Sequence, residues 1–269
     1  MDLQNAKIAI LGGGNIGTAI ARGLVRNGLI SSKNITVTRR NVSKISELSE
    51  LGINISDNNI QAVKESSIII LAVLPSQLLT LIESLNGVVS KEKHILVSVV
   101  SAFSLTDMRQ KLNSEVPLIR AMPNIAASVG ESMTCICADA KDTDSMEKVQ
   151  LLFNEVGSTL IIQENLMSSA TILGACGIAF FMRYIRAASQ GGIQVGFHAA
   201  DAQFIAAQTA RGATSLLLES GNHPEREIDK VTTPMGCTIA GLNEMEHNGL
   251  SSALIKGIVL SFNEINKLK

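Results

Sequence analysis

The chain has 269 residues, enough for one large domain or two medium ones. Charged residues make up 17% of it, against a usual share of about 25%; so little polar surface cannot cover two separate lobes, and a buried subunit interface is expected. A net charge of −1 leaves no basic footprint for nucleic acid.

Met1–Lys7 has no basic stretch leading into an apolar run, so no signal peptide is expected. The longest unbroken apolar run, Ile68–Leu74, falls well short of the roughly 20 residues of a membrane span. Cys135, Cys137, Cys176 and Cys237 match neither a zinc site nor a C-x-x-C redox pair, and read as reduced thiols of a cytoplasmic protein. His94, His198, His223 and His247 are scattered, and no metal site is expected.

In chain order, the apolar run Lys7–Leu11 predicts a strand. It leads directly into Gly12-Gly13-Gly14-Asn15-Ile16-Gly17 and a helical pattern over 15–28. This is G-x-G-x-x-G at a strand-to-helix turn, the context in which it marks a dinucleotide site. Gly12 permits the tight turn, Gly14 lets a pyrophosphate approach, and Gly17 lets helix pack on strand. The N–H groups at Asn15 and Ile16 open the helix and point at the anion. A glycine-rich turn without a ligand is the competing reading.

Ile35–Thr38 is the next strand, with a helix near 42–51. An NAD site usually has Asp or Glu at the end of this strand. Here stand Arg39 and Arg40, followed by Asn41 and Ser43, a set that fits a 2′-phosphate and favours NADPH, with NADH also usable. Two solvated surface charges are the plainer alternative. Ser67–Val73 reads as a buried parallel strand, and Pro75 opens a helix. Strands follow at 95–100, 118–122 and 132–137, then a helix at 141–154 and a strand at 158–162. The alternation predicts an α/β fold, a Rossmann-type doubly wound parallel sheet over residues 1–163.

From residue 164 to 269 the pattern is all-helical. Leu166–Gln190 and Ala199–Glu219 are apolar on nearly every side, with Arg183, Arg186, Asp201 and Arg211 among their few charges. Such helices must be buried all round, which predicts an intertwined homodimer through this domain. Smaller helices are expected at 225–231, 237–247 and 250–267.

Within 229–249, Pro234 and Gly236 mark a turn, and Thr238 begins a helix. The N–H groups of Gly236, Cys237 and Thr238 would form a small anion site suited to a carboxylate, with the Thr233 and Thr238 hydroxyls beside it. Ordinary N-capping by threonine explains the same residues.

The segment Val231–Leu242, V-T-T-P-M-G-C-T-I-A-G-L, resembles the signature of the pyrroline-5-carboxylate reductases, V-T-S-P-G-G-T-T-I-A-G-L. Arg120–Asn124 matches that family's R-A-M-P-N, Ala72–Pro75 its A-V-K-P, and Ser98–Val100 its S-V-V. The chain departs from the pattern at Leu74, at residues 174–180, at Met235 and at Cys237.

The resemblance implies NAD(P)H-dependent reduction of 1-pyrroline-5-carboxylate to L-proline. It places the substrate carboxylate on Thr233, Gly236, Cys237 and Thr238. Thr238 then orients the ring nitrogen as the single catalytic residue, while Ala72, Val73, Pro75 and Asn124 flank the cofactor. A protonated imine accepts hydride readily, so positioning matters more than a strong acid. Three other readings stay open: a reductase of another cyclic imine acid, a β-hydroxyacid-type dehydrogenase, and a non-catalytic NADPH sensor. The second would want a lysine acid, and 166–219 has no lysine.

Overall fold

A computed structural model describes residues 3–267. Met1 and Asp2, which belong to the leader reading, and Leu268 and Lys269, the end of the expected second domain, lie outside the described residues. The chain forms two compact units. The first runs to Cys176 and takes in the C-terminal residues from Phe262; the second is Gly177–Ser261.

The first unit is built on eight strands: β1 (Ile8–Leu11), β2 (Ile35–Thr38), β3 (Asn54–Ser56), β4 (Ile68–Leu71), β5 (Ile95–Ser98), β6 (Leu118–Met122), β7 (Ser132–Ala138) and β8 (Gly157–Ile161). They form one sheet in the order β3-β2-β1-β4-β5-β6-β7-β8. β1, β4 and β5 are buried at every residue, as strands covered on both faces must be. Alternate residues of β1 serve opposite cores. Ile8 and Ile10 pack with Leu24 and Phe153, while Ala9 and Leu11 pack with Leu78, Met108 and Met167.

The helices of this unit are α1 (Asn15–Arg26), α2 (Glu47–Glu50), α3 (Asn59–Glu65), α4 (Pro75–Ser84), α5 (Leu105–Arg109), α6 (Thr143–Asn154) and α7 (Met167–Ala170). The expected helix over 42–51 is instead a 3-10 turn, Val42–Ile45, followed by the single turn of α2. The sheet is parallel except at one junction, where β7 runs antiparallel to β6. A parallel crossover takes a dozen or more residues. The link from β6 to β7 holds only a 3-10 turn, Ile125–Val129, so the chain must reverse.

α7 runs on through a π-helical turn, Thr171–Cys176, where the chain leaves the first unit. The second unit contains α8 (Gly177–Gln194), α9 (Ala199–Ser220), α10 (Pro224–Val231) and α11 (Cys237–His247), and most of α12 (Leu250–Asn266). No strand occurs among its described residues. Its helices leave large apolar side chains open: Phe181 is 62% exposed, Phe204 71% and Leu218 84%. The helical stretch Glu164–Gln194 has 31 residues, and an 18-residue window within it has a mean hydropathy of 1.5, long and apolar enough to cross a membrane by length and composition. No unbroken apolar run marks this stretch in the sequence, because Arg183, Arg186 and several small polar residues interrupt it.

Candidate active site

The chain runs from β1 to β2 on one side, then returns to β4 on the other side of β1. Ligands of open α/β sheets bind at such a switch point, beyond the carboxyl ends of the strands. Gly12 follows β1 directly, and Ala72 follows β4. The two meet closely: a Cβ on Gly12 would lie 2.3 Å from the Ala72 carbonyl oxygen, and Gly12 has φ +118°. Gly12 and Gly13 both donate N–H bonds to the Thr38 carbonyl, at 3.1 and 2.8 Å, which ties the turn to the end of β2.

Each glycine of the motif answers a different demand. A Cβ on Gly17 would sit 2.0 Å from the Gly12 carbonyl oxygen, so only glycine lets α1 approach the turn. A Cβ on Gly14 would meet no protein atom within 4 Å. No atom of the described fold requires Gly14 to lack a side chain; a ligand passing the backbone would. Gly14 is also the N-cap of α1, and it brings no side-chain hydrogen bond to the first turn. Asn15, exposed, and Ile16, half-buried, stand at this open helix start. These residues fit a dinucleotide pyrophosphate.

Arg39 and Arg40 leave the end of β2 in different ways. The Arg39 guanidinium donates to the Gly13 carbonyl and is half-buried. Arg40 is exposed. Beside them Asn41 accepts from the Ser43 N–H at 3.1 Å and from the Ser43 hydroxyl at 2.6 Å, which shapes the 3-10 turn. Val73 is half-buried beyond Ala72, and Pro75 stands exposed at the first position of α4, with Leu74 as its N-cap.

Asn124 is buried and fully engaged. Its Oδ1 accepts from the Ala126 N–H at 3.0 Å, and its Nδ2 donates to the Gly174 carbonyl in the π-helical turn at 3.1 Å. This link between the end of β6 and the turn at 171–176 was not legible in the sequence, because the partners are 50 residues apart. Arg120, the first residue of the R-A-M-P-N motif that Asn124 ends, is 7% exposed and donates to Glu164 at 2.8 Å.

In the second unit, Thr233–Gly236 forms a turn closed by the Gly236 N–H donating to the Thr233 carbonyl at 2.9 Å. A Cβ on Gly236 would lie 2.6 Å from the Thr233 Oγ1, so glycine is required there. Gly236 is the N-cap of α11 and brings no side-chain hydrogen bond. Thr233, Cys237 and Thr238 are exposed around this helix start. Met235, in the same turn, has φ +60°.

The other thiols are less exposed than Cys237. Burial pushes Cys137 up to about 11 and raises Cys135 and Cys176 above the usual thiol value. Cys135 and Cys137 lie two apart in β7, packed in the sheet. Among the described residues no group of three or more His, Cys, Asp or Glu is placed to hold a metal ion.

Residues 164–268 match the family model described as pyrroline-5-carboxylate reductase dimerisation, and residues 7–102 match that of the coenzyme F420-dependent NADP oxidoreductases. The chain is 47% identical to pyrroline-5-carboxylate reductase 2 of Dictyostelium discoideum, over 99% of this chain and 94% of that protein. It is 48% identical to pyrroline-5-carboxylate reductase 1 of the same organism over 97% of its own length, but spans only about half of that longer protein, 49%. In structure it follows the Plasmodium falciparum pyrroline carboxylate reductase crystallised with NADP, with a TM-score of 0.87 over 99% of both chains; at 21% identity this likeness shows the fold. With these matches running nearly end to end over both units, the chain belongs to the pyrroline-5-carboxylate reductase family.

Proposed function

We propose that this protein reduces 1-pyrroline-5-carboxylate to L-proline with NADPH. The observation that carries the reading is the Thr233–Gly236 turn, which opens α11 with an uncapped N-terminus in a chain of this family. Residues 1–163 would hold the cofactor, and 164–269 the substrate and the dimer interface.

When bound, the nicotinamide supplies hydride to the imine carbon. Gly12, Gly14, Asn15, Ile16 and Gly17 would hold the pyrophosphate, and Arg39 and Arg40 the 2′-phosphate, with NADH accepted less well. Ala72, Val73, Pro75 and Asn124 border the same edge of the sheet. The N–H groups of Cys237 and Thr238, with the Thr233 hydroxyl, hold the substrate carboxylate at the positive end of α11, while the Gly236 N–H, which the sequence offered as a third donor, stays on the Thr233 carbonyl and shapes the turn. The Thr238 hydroxyl hydrogen-bonds the ring nitrogen, orients the C=N bond and can relay its proton. A protonated imine is already electrophilic, so this orientation suffices and no strong acid is needed. Hydride addition needs no nucleophile, and Cys237 serves through its backbone.

The open faces of α8 and α9 support a homodimer, or a higher assembly of dimers, in place of a membrane span or a nucleic-acid partner. The four free cysteines suit a reducing cytoplasm. Steady-state oxidation of NADPH with 1-pyrroline-5-carboxylate tests the reading. Turnover that forms proline is expected. Cofactor binding with no turnover would favour a sensor, and turnover only with other imine acids would favour the neighbouring reductase.

A further inference from the structure

The Thr233–Gly236 turn contains a residue that its backbone does not favour. Pro234 fixes φ near −65° at the first central position, and Met235 at the second has φ +60°. With the closing hydrogen bond from Gly236 to Thr233, this is a type II turn, whose second central residue is ordinarily Gly or Asn. An unbranched but bulky apolar residue there is an outlier. Among the described residues no packing contact offsets the strain: the Met235 side chain is completely exposed, at 103% of its reference area. Strain held at a ligand-binding turn is a pointer to function.

We propose that Met235 is a specificity-determining residue of the substrate loop, its thioether chain closing over the apolar ring edge of the bound imino acid. The inference rests on the reading that the start of α11 holds the substrate carboxylate. Met235 is the residue immediately before the N-cap Gly236, so a carboxylate on the N–H groups of Cys237 and Thr238 lies beside its side chain. A cyclic imino acid presents only methylenes on the ring side away from its nitrogen and carboxylate. Methionine is unbranched and adaptable, suited to covering such a surface. The left-handed backbone aims the side chain out of the turn, where it contacts ligand instead of protein. The expected selectivity is for an unsubstituted ring over one carrying a hydroxyl.

Two variants separate side chain from backbone. Met235→Ala removes the thioether chain and keeps an L-residue at positive φ. Met235→Gly removes both chain and strain, and its thermal midpoint should rise. Both are expected to raise KM for 1-pyrroline-5-carboxylate about five- to tenfold, a loss of about 1 to 1.4 kcal/mol, with kcat and the KM for NADPH within about twofold. Both should narrow the preference over the ring-hydroxylated analogue. An unchanged KM and preference in both variants would overturn the proposal, as would a loss confined to Met235→Gly, which would assign the effect to the backbone. A wild-type protein that turns over no imino acid would instead overturn the functional reading on which this rests.

Discussion

Gly17 sits so close to Gly12 that a methyl group on it would stand 2.0 Å from the Gly12 carbonyl oxygen. Gly14, between them, faces open space. The two positions should therefore fail differently. Gly17→Ala is expected to lower folding stability by about 1–3 kcal/mol through overpacking, despite alanine's better helix propensity, and to weaken NADPH. Gly14→Ala should leave stability within about 0.5 kcal/mol while raising the Kd for NADPH by more than about tenfold. Urea unfolding and cofactor titration of both variants check this; a destabilised Gly14→Ala would contradict it.

These glycines also show how far the sequence could be read. The strand, turn and helix around them were legible because their residue types leave few alternatives. Gly23 was not: in sequence it merely weakens α1, yet a Cβ there would lie 2.1 Å from the Ala127 carbonyl oxygen, where the 3-10 turn after β6 crosses the helix. β3 and α5 escaped notice because three and five residues are too few to show a period. The reversal of β7 depends on the length of its connection, which pattern alone does not weigh. The signature segment gave the turn at 233–236, but not the positive φ that Met235 adopts within it.

Arg39 and Arg40 should separate in function, since one is tied to the glycine turn and the other is free in solvent. Arg40→Ala is expected to raise the Kd for NADPH about tenfold, a charge-assisted hydrogen bond of about 1.5 kcal/mol, and leave NADH nearly unchanged. Arg39→Ala also removes the bond to the Gly13 carbonyl, so it should weaken both cofactors. Equal loss of NADPH and NADH in Arg40→Ala would remove the 2′-phosphate role.

Arg120 and Glu164 test whether a motif arginine is structural. Glu164 Oε1 accepts from Arg120 at 2.8 Å and from the Leu105 N–H at 2.7 Å, joining β6 to the start of α5. Glu164→Ala leaves a buried guanidinium without its counter-charge, and should cost about 3 kcal/mol, the low end for such a pair because Glu164 is partly exposed. Glu164→Gln keeps an acceptor for Leu105 and should cost about half as much. Differential scanning calorimetry separates the two; equal and small losses would make the pair a surface contact.

His94 predicts a pH dependence of stability. Its Nδ1 accepts from the Ser90 N–H at 3.0 Å, and its Nε2 lies 3.3 Å from the Val63 carbonyl, which requires the neutral tautomer with hydrogen on Nε2. Burial holds its pKa below the ordinary value of 6.5, with Lys93 adding to the effect against the Val63 bond. The neutral form is favoured in the fold. Its contribution is therefore complete above 6.5, and is lost as pH falls from there through the folded-state pKa. Urea midpoints of wild type should decline over that interval more steeply than those of His94→Gln. Parallel declines would place the dependence elsewhere.

On the proposed function, the loop leading into α11 binds and orients the imino acid, with Thr238 as its orienting hydroxyl. The most direct measurement is steady-state turnover of 1-pyrroline-5-carboxylate by Thr238→Ala, paired with a direct titration of NADPH. In Thr238→Ala, kcat is expected to fall about a hundredfold, the lower range for a positioned proton-relay group, with the NADPH Kd unchanged. Wild-type turnover by the variant, or a loss of NADPH binding in step with activity, would contradict it.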